Sequence, residues 1–227
     1  MRFIRFIRTA ALVASALLLT GTQAAPSKEL DEAMSADGLQ KIKVKDIDLA
    51  YARPGASLAG YNNIKLDPVD VAFRKDWNPD RIGSRLKLTA AERENIRTRV
   101  AKLVYEEFVK ELEAKGGYKV VNEAGPDVLR VNVKVVNLYV NAPDTGSTGL
   151  SRTYTVSAGE MTLIAELYDS ESGQELARVV DRREGRNSGR LELSSSVSNA
   201  GEAADIAQTW ARILRKGLDK AHAIGKK

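Results

Sequence analysis

The chain of 227 residues contains no cysteine and one histidine. The first absence excludes disulfides, thiol catalysis and thiolate metal sites. The second leaves nucleophilic catalysis short of parts. His222 stands near the end of the last helical pattern among Lys220, Lys226 and Lys227, where a surface residue suited to a helix dipole is expected rather than a catalytic base. No Gly-x-Ser-x-Gly elbow surrounds Ser194-Ser195-Ser196, which reads as a linker before a helix cap. Long apolar runs are missing too. The run Ala10 to Leu19 is about half the ~20 residues that a spanning helix needs.

That short run has the layout of an export signal. Arg2, Arg5 and Arg8 precede it, and Thr22-Gln23-Ala24 supplies small residues before a cut at Ala25. The expectation is a signal peptide over 1–24 and a mature chain without a transmembrane segment, soluble in the periplasm or secreted further. Removing three arginines and no acids takes the formal charge from +5 to +2. A nucleic-acid partner therefore loses most of its compositional support. About 200 remaining residues favour one domain and bury a core without staples.

Residues 25–48 are polar, with Lys41, Lys43 and Lys45 alternating with Ile42, Val44 and Ile47. They form either a short edge strand or a tether, and a solvated lead-in is the expectation. The domain proper is expected over 49–227. Pro54-Gly55 and Gly60 mark turns, and the pattern tightens into a strand from Ile64 to Phe73. Asp67-Pro68 interrupts it, and because proline cannot donate to a ladder, a bulge or edge position is expected there.

Thr89-Ala90-Ala91-Glu92 is a capping box. Ile96, Val100, Leu103, Val104, Phe108 and Leu112 follow as one helical stripe, and Gly116-Gly117 supplies a left-handed stop. Val128 to Val140 alternates as a long strand, Glu160 to Tyr168 as a second, and Gln174 to Asp181 as its hairpin partner. Asn199 to Glu202 caps a last helix with the stripe Ala203, Ile206, Ala207, Trp210, Ile213, Leu214 and Leu218. Strands with one apolar face and helices with one apolar stripe predict an α+β fold. Its simplest form is a single two-layer sandwich, a mostly antiparallel sheet with two helices packed on one face.

Few residues suggest chemistry. Asp67, Asp70, Asp76 and Asp80 carry oxygen donors but lack the loop spacing of a calcium site, so solvated aspartates are expected and no metal. Asp169 and Glu171 belong to hairpin geometry. No cofactor motif is present. The run from Arg182-Arg183 through Arg186 to Arg190, with Arg178 upstream, is the candidate for binding an anion or a partner, since guanidinium forks take phosphate and carboxylate bidentately. The plain alternative is a solvated loop with internal ion pairing. Asn141 to Gly159 is a long Gly/Ser/Thr-rich connection containing Tyr154, a candidate partner-binding loop.

Asp37-Gly38-Leu39, Tyr51-x-Arg53-Pro54-Gly55-Ala56 with Leu58 and Gly60-Tyr61, and the strand Asp67 to Phe73 together resemble DUF3313, a bacterial cell-envelope family of unknown function. The resemblance continues through Tyr168 to Gly173 and the closing helix. Family members are commonly lipoproteins, whereas this chain has no cysteine to carry a lipid. The resemblance supplies no catalytic residue. The resulting expectation is a non-catalytic binding or assembly component of the envelope, meeting an envelope protein or an anionic envelope component. The alternatives are a small-ligand carrier with an apolar cleft between sheet and helices, and a hydrolase built on two facing carboxylates.

Overall fold

Alternation along one strand sets the architecture. In Val128–Val140, Leu129, Val131, Val133 and Val135 are fully buried, while Arg130, Asn132 and Lys134 point the other way. A computed structural model of the chain describes residues 35, 37–77, 89–140, 153–155, 159–185, 192–194 and 196–225.

In chain order the strands are β1 (Gln40–Ile42), β2 (Leu49–Ala52), β3 (Asn63–Leu66), β4 (Asp70–Phe73), β5 (Lys119–Val120), β6 (Val128–Val140), β7 (Thr153–Thr155), β8 (Gly159–Asp169), β9 (Glu175–Glu184) and β10 (Glu192–Ser194). Helix α1 (Ala90–Glu113) lies between β4 and β5, and α2 (Ser196–Gly225) follows β10. Eight strands form one sheet in the order β1-β2-β9-β8-β6-β3-β5, with β4 also on β6; β7 and β10 pair separately. The fold is α+β.

The sheet is mixed. Pairings from β1 through β2, β9 and β8 to β6 are antiparallel, but β3 and β4 run parallel to β6, and β5 runs parallel to β3. The mostly antiparallel expectation holds for one half. At the other edge, α1 serves as the crossover that returns the chain to a parallel strand.

The interruption at Asp67-Pro68 is a bulge. β3 pairs Leu66 with Val131 and β4 pairs Asp70 with Lys134, so the β3–β4 side spends one extra residue across the gap. A second bulge falls in β6 at Asn137, whose φ is +54°. Gly159, opposite Val140, is required by contact. A Cβ there would lie 2.0 Å from the Tyr139 carbonyl oxygen, at a φ of +147°.

Both helices feed one core. Val104, Phe108 and Leu112 of α1 and Ala207, Trp210, Ala211 and Leu218 of α2 join the buried face of β6. Each such large side chain contributes roughly 1.5–3 kcal/mol. The capping box at Thr89 and Glu92 is present. The stop of α1 differs from expectation: Lys115 and Gly116 take the left-handed φ values, +53° and +68°. Gly117 instead makes room, since a Cβ there would come within 2.3 Å of the Leu112 carbonyl oxygen.

Two further expectations are corrected. The polar lead-in contributes β1 to the sheet and buries Leu39. α2 starts at Ser196, ahead of the expected cap at Asn199, and Ser194 ends β10. The signal segment 1–24 and most of the 141–159 connection lie outside the described residues, apart from β7 and Gly159.

Candidate binding cleft

One end of the sheet gathers the features that chemistry can use. There β6 ends at Val140, β8 begins at Gly159 opposite it, and Glu160 pairs with Glu184 at the end of β9. The first turns of α1 and α2 lie over this end. Between them is a cleft of about 140 Å³. Its walls are Ile96, Val100 and Leu103 of α1, Leu138 and Met161 of the sheet, and Ile206 of α2. Arg99, Asn199 and Glu202 supply polar groups, and Gly159 and Gly185 complete the rim. The chain therefore leaves the sheet after Val140 and rejoins it at Gly159 at this rim, beside the end of β9.

The wall beside α1 is braced by aromatic contacts. Trp77 Nε1 donates to the Val140 carbonyl at 3.0 Å. Its ring stacks on Phe73 with centroids 4.2 Å apart, and the Arg93 guanidinium sits 5.5 Å from its centre.

Next to the cleft, Glu160 is gripped by two arginines, Arg74 through Nη1 and Arg182 through Nη2. Burial pushes the Glu160 carboxyl up, but the hydrogen bonds and charges of Arg182 and Arg74 outweigh it and hold the group below its usual range. Arg74 also bonds Asp76 at 2.6 Å and lies 4.0 Å over the Tyr139 ring.

The arginine run does not form one patch. A strand alternates, so Arg178 and Arg182 sit on the open face of the sheet opposite Glu166 and Thr162, while Arg183 shares the helix-covered side with Asp181. Arg183 Nε donates to Asp181 Oδ2 at 2.7 Å, and its Nη2 to the Asp46 carbonyl at 2.8 Å. Arg178 is held by Glu175 Oε2 at 2.6 Å and Asp37 Oδ2 at 2.8 Å. Hydrogen bonding to Glu175, acting against burial, raises its pKa still further. Arg186 and Arg190 lie outside the described residues.

The other candidates are dispersed. Asp67 is 12% exposed and paired to Arg130 at 2.7 Å instead of solvated, Asp76 serves Arg74, and Asp80 lies outside the described residues. Among the described residues no group of three or more His, Asp or Glu side chains gathers as a metal site. Asp169 anchors its hairpin through Ser172, at 2.6 Å to the hydroxyl and 2.7 Å to the amide. His222 is not a bare surface residue: Tyr118 Oη lies 3.3 Å from Nδ1, and Nε2 is buried without a partner. Its Nδ1 is also 2.9 Å from the Leu218 carbonyl.

A family model described as a protein of unknown function, DUF3313, matches residues 30–214. The chain belongs to the DUF3313 family. Residues that carried the resemblance now meet in space: Arg53 Nε donates to the Glu175 carbonyl at 2.6 Å and its Nη2 to the Asp37 carbonyl at 3.0 Å. Gly38, at φ +77°, lets the chain turn beside that guanidinium. In this DUF3313 protein the Asp-Gly-Leu and Arg-Pro-Gly motifs are two halves of one clasp on β9.

No curated protein matches the chain. Among solved structures, a PelC dodecamer from Paraburkholderia phytofirmans is 10% identical, covering 73% of this chain and 96% of its own, at a TM-score of 0.36. Protein XCC0632 of Xanthomonas campestris, from family DUF330, is 11% identical over 82% of this chain and 97% of its own, at 0.45. A putative neuraminyllactose-binding hemagglutinin homolog from Helicobacter pylori is 12% identical over 76% and 95%, at 0.31. At such scores these likenesses carry no argument about function.

The sequence offers an apolar cleft between sheet and helices as an alternative but does not place it. Ile96, Val100, Leu103 and Ile206 were assigned to the core stripes, yet all are only partly buried.

Proposed function

We propose that this DUF3313 protein is an exported, non-catalytic binding component of the bacterial cell envelope, working in the periplasm. The observation that carries the reading is the cleft, an apolar recess between the two helices and the end of the sheet where β6 stops and β8 begins. Ligand sites of this kind combine apolar walls with few polar groups. Export is supported by the segment 1–24, and the family match begins downstream of it, at residue 30. Among the described residues no helix is long and apolar enough to cross a membrane.

Two carboxylates are tuned away from general-acid work. Glu160 and Asp169 are both held below their usual range, Asp169 chiefly by the Ser172 hydroxyl. A general acid near neutral pH needs the opposite shift. The same cleft favours a small-ligand carrier over an assembly platform built on an arginine patch, because the arginines that are described already grip acids of this chain.

The test is the native size and content of the protein released gently from the periplasm. A co-isolated small molecule or a cross-linked envelope partner supports the reading. A protein retained in the cytoplasm, or a bare monomer, contradicts it.

A further inference from the structure

Glu202 stands on the second turn of α2 and lines the cleft. Its Oε2 is buried and has no hydrogen-bond partner. A carboxylate oxygen withdrawn from water and left unpaired is costly, and a ligand that supplies a donor recovers that cost. The other carboxylate at the cleft, Glu160, is already occupied by Arg74 and Arg182. Arg99 also lines the cleft but is exposed to solvent. A pairing made there gains little over water. The unmet demand in the cleft is therefore for an N–H donor, preferably a cationic one.

Size sets the remainder of the ligand. A dry cavity of about 150 Å³ holds a six-carbon body such as benzene, and the cleft measures about 140 Å³. Ile96, Val100, Leu103, Leu138, Met161 and Ile206 offer that body an apolar wall.

We propose that the cleft takes a small primary amine with an apolar body of about six carbons, its ammonium group bound by Glu202. This rests on the cleft being the binding site, and adds the chemical class of its ligand.

The protein labelled at its methionine methyl groups tests it directly. Met161 lines the cleft, and its signal is assigned by its loss in Met161→Leu. Three probes share one chain length: n-hexylamine, n-hexanol and n-hexanoate. The expected result is a saturable shift of the Met161 methyl with n-hexylamine, and binding of n-hexanol at least about tenfold weaker. Glu202→Gln should bring the amine down to the level of the alcohol and leave the alcohol unchanged, which also shows that the variant folds. Equal binding of all three probes, or amine binding unaffected by Glu202→Gln, overturns the amine assignment while the cleft stands. No shift at Met161 with any probe overturns the assignment and the binding cleft together.

Discussion

Trp210 Nε1 donates to Asp181 Oδ2 at 2.7 Å inside the protein, where both residues are almost wholly buried. This bond joins α2 to β9. Asp181 does more: its Oδ1 accepts the Asp48 amide at 3.1 Å, and its Oδ2 also takes Arg183 at 2.7 Å. One carboxylate thus ties a helix, a strand and the entry to β2. Replacing Asp181 by Ala strands three donors, one of them charged, and should destabilise the protein by about 3 kcal/mol. Trp210→Phe removes one donor and should cost less. Urea midpoints of the two variants check the order.

Gly159 faces the Tyr139 carbonyl too closely for any side chain. Gly159→Ala should cost about 2 kcal/mol or more and disturb the cleft rim. Gly60→Ala, where a Cβ would meet nothing within 4 Å, is the control and should be near neutral. Thermal midpoints of the pair decide whether contact or mere loss of glycine matters.

The pH dependence of the Arg74–Glu160–Arg182 grip has a definite sign. Its folded pKa lies below the ordinary 4.5. The grip therefore contributes in full above pH 4.5 and is lost as pH falls through the lowered folded value. Glu160→Gln should be less stable than the parent at neutral pH. The gap should close in acid, below about 4.5. Denaturation of both proteins between neutral and acid pH measures this closing. A gap that widened in acid would contradict the assignment.

The clasp of Arg53, Asp37, Glu175 and Arg178 holds β1 and its approach against β9. Arg53→Ala should expose that segment to limited proteolysis with little change elsewhere. Arg53→Lys should not restore protection, because a single ammonium cannot span two carbonyls as the guanidinium fork does. Mapping the first cut by mass spectrometry distinguishes local release from global loosening.

Periodicity made the long elements legible in the sequence. The 13-residue alternation of β6 and the stripe of α1 each repeat often enough to fix type and face. β1 and β5 span three residues and two, too few for a period to register, so an edge strand in the lead-in could not be told from a tether and the parallel edge went unseen. The arginine run was legible as charge but not as geometry. Once Asp181, Arg182 and Arg183 belong to β9, alternation sends neighbours to opposite faces: Arg182 meets Glu160 of β8, while Arg183 meets Asp181 of its own strand. The position of the cleft was hidden for a related reason. Its lining comes from β6, β8, α1 and α2, and partial burial of a stripe residue depends on where neighbouring elements end.

The central claim is that the cleft holds a ligand. The most direct measurement is the intact native mass of protein isolated from the periplasm, beside a variant with the cleft filled by Val100→Phe and shown to fold by its thermal midpoint. The account predicts a chain starting at Ala25 that carries a small molecule released on denaturation, absent from the filled variant. Bare chains of equal mass in both samples, with no partner attached, would contradict it.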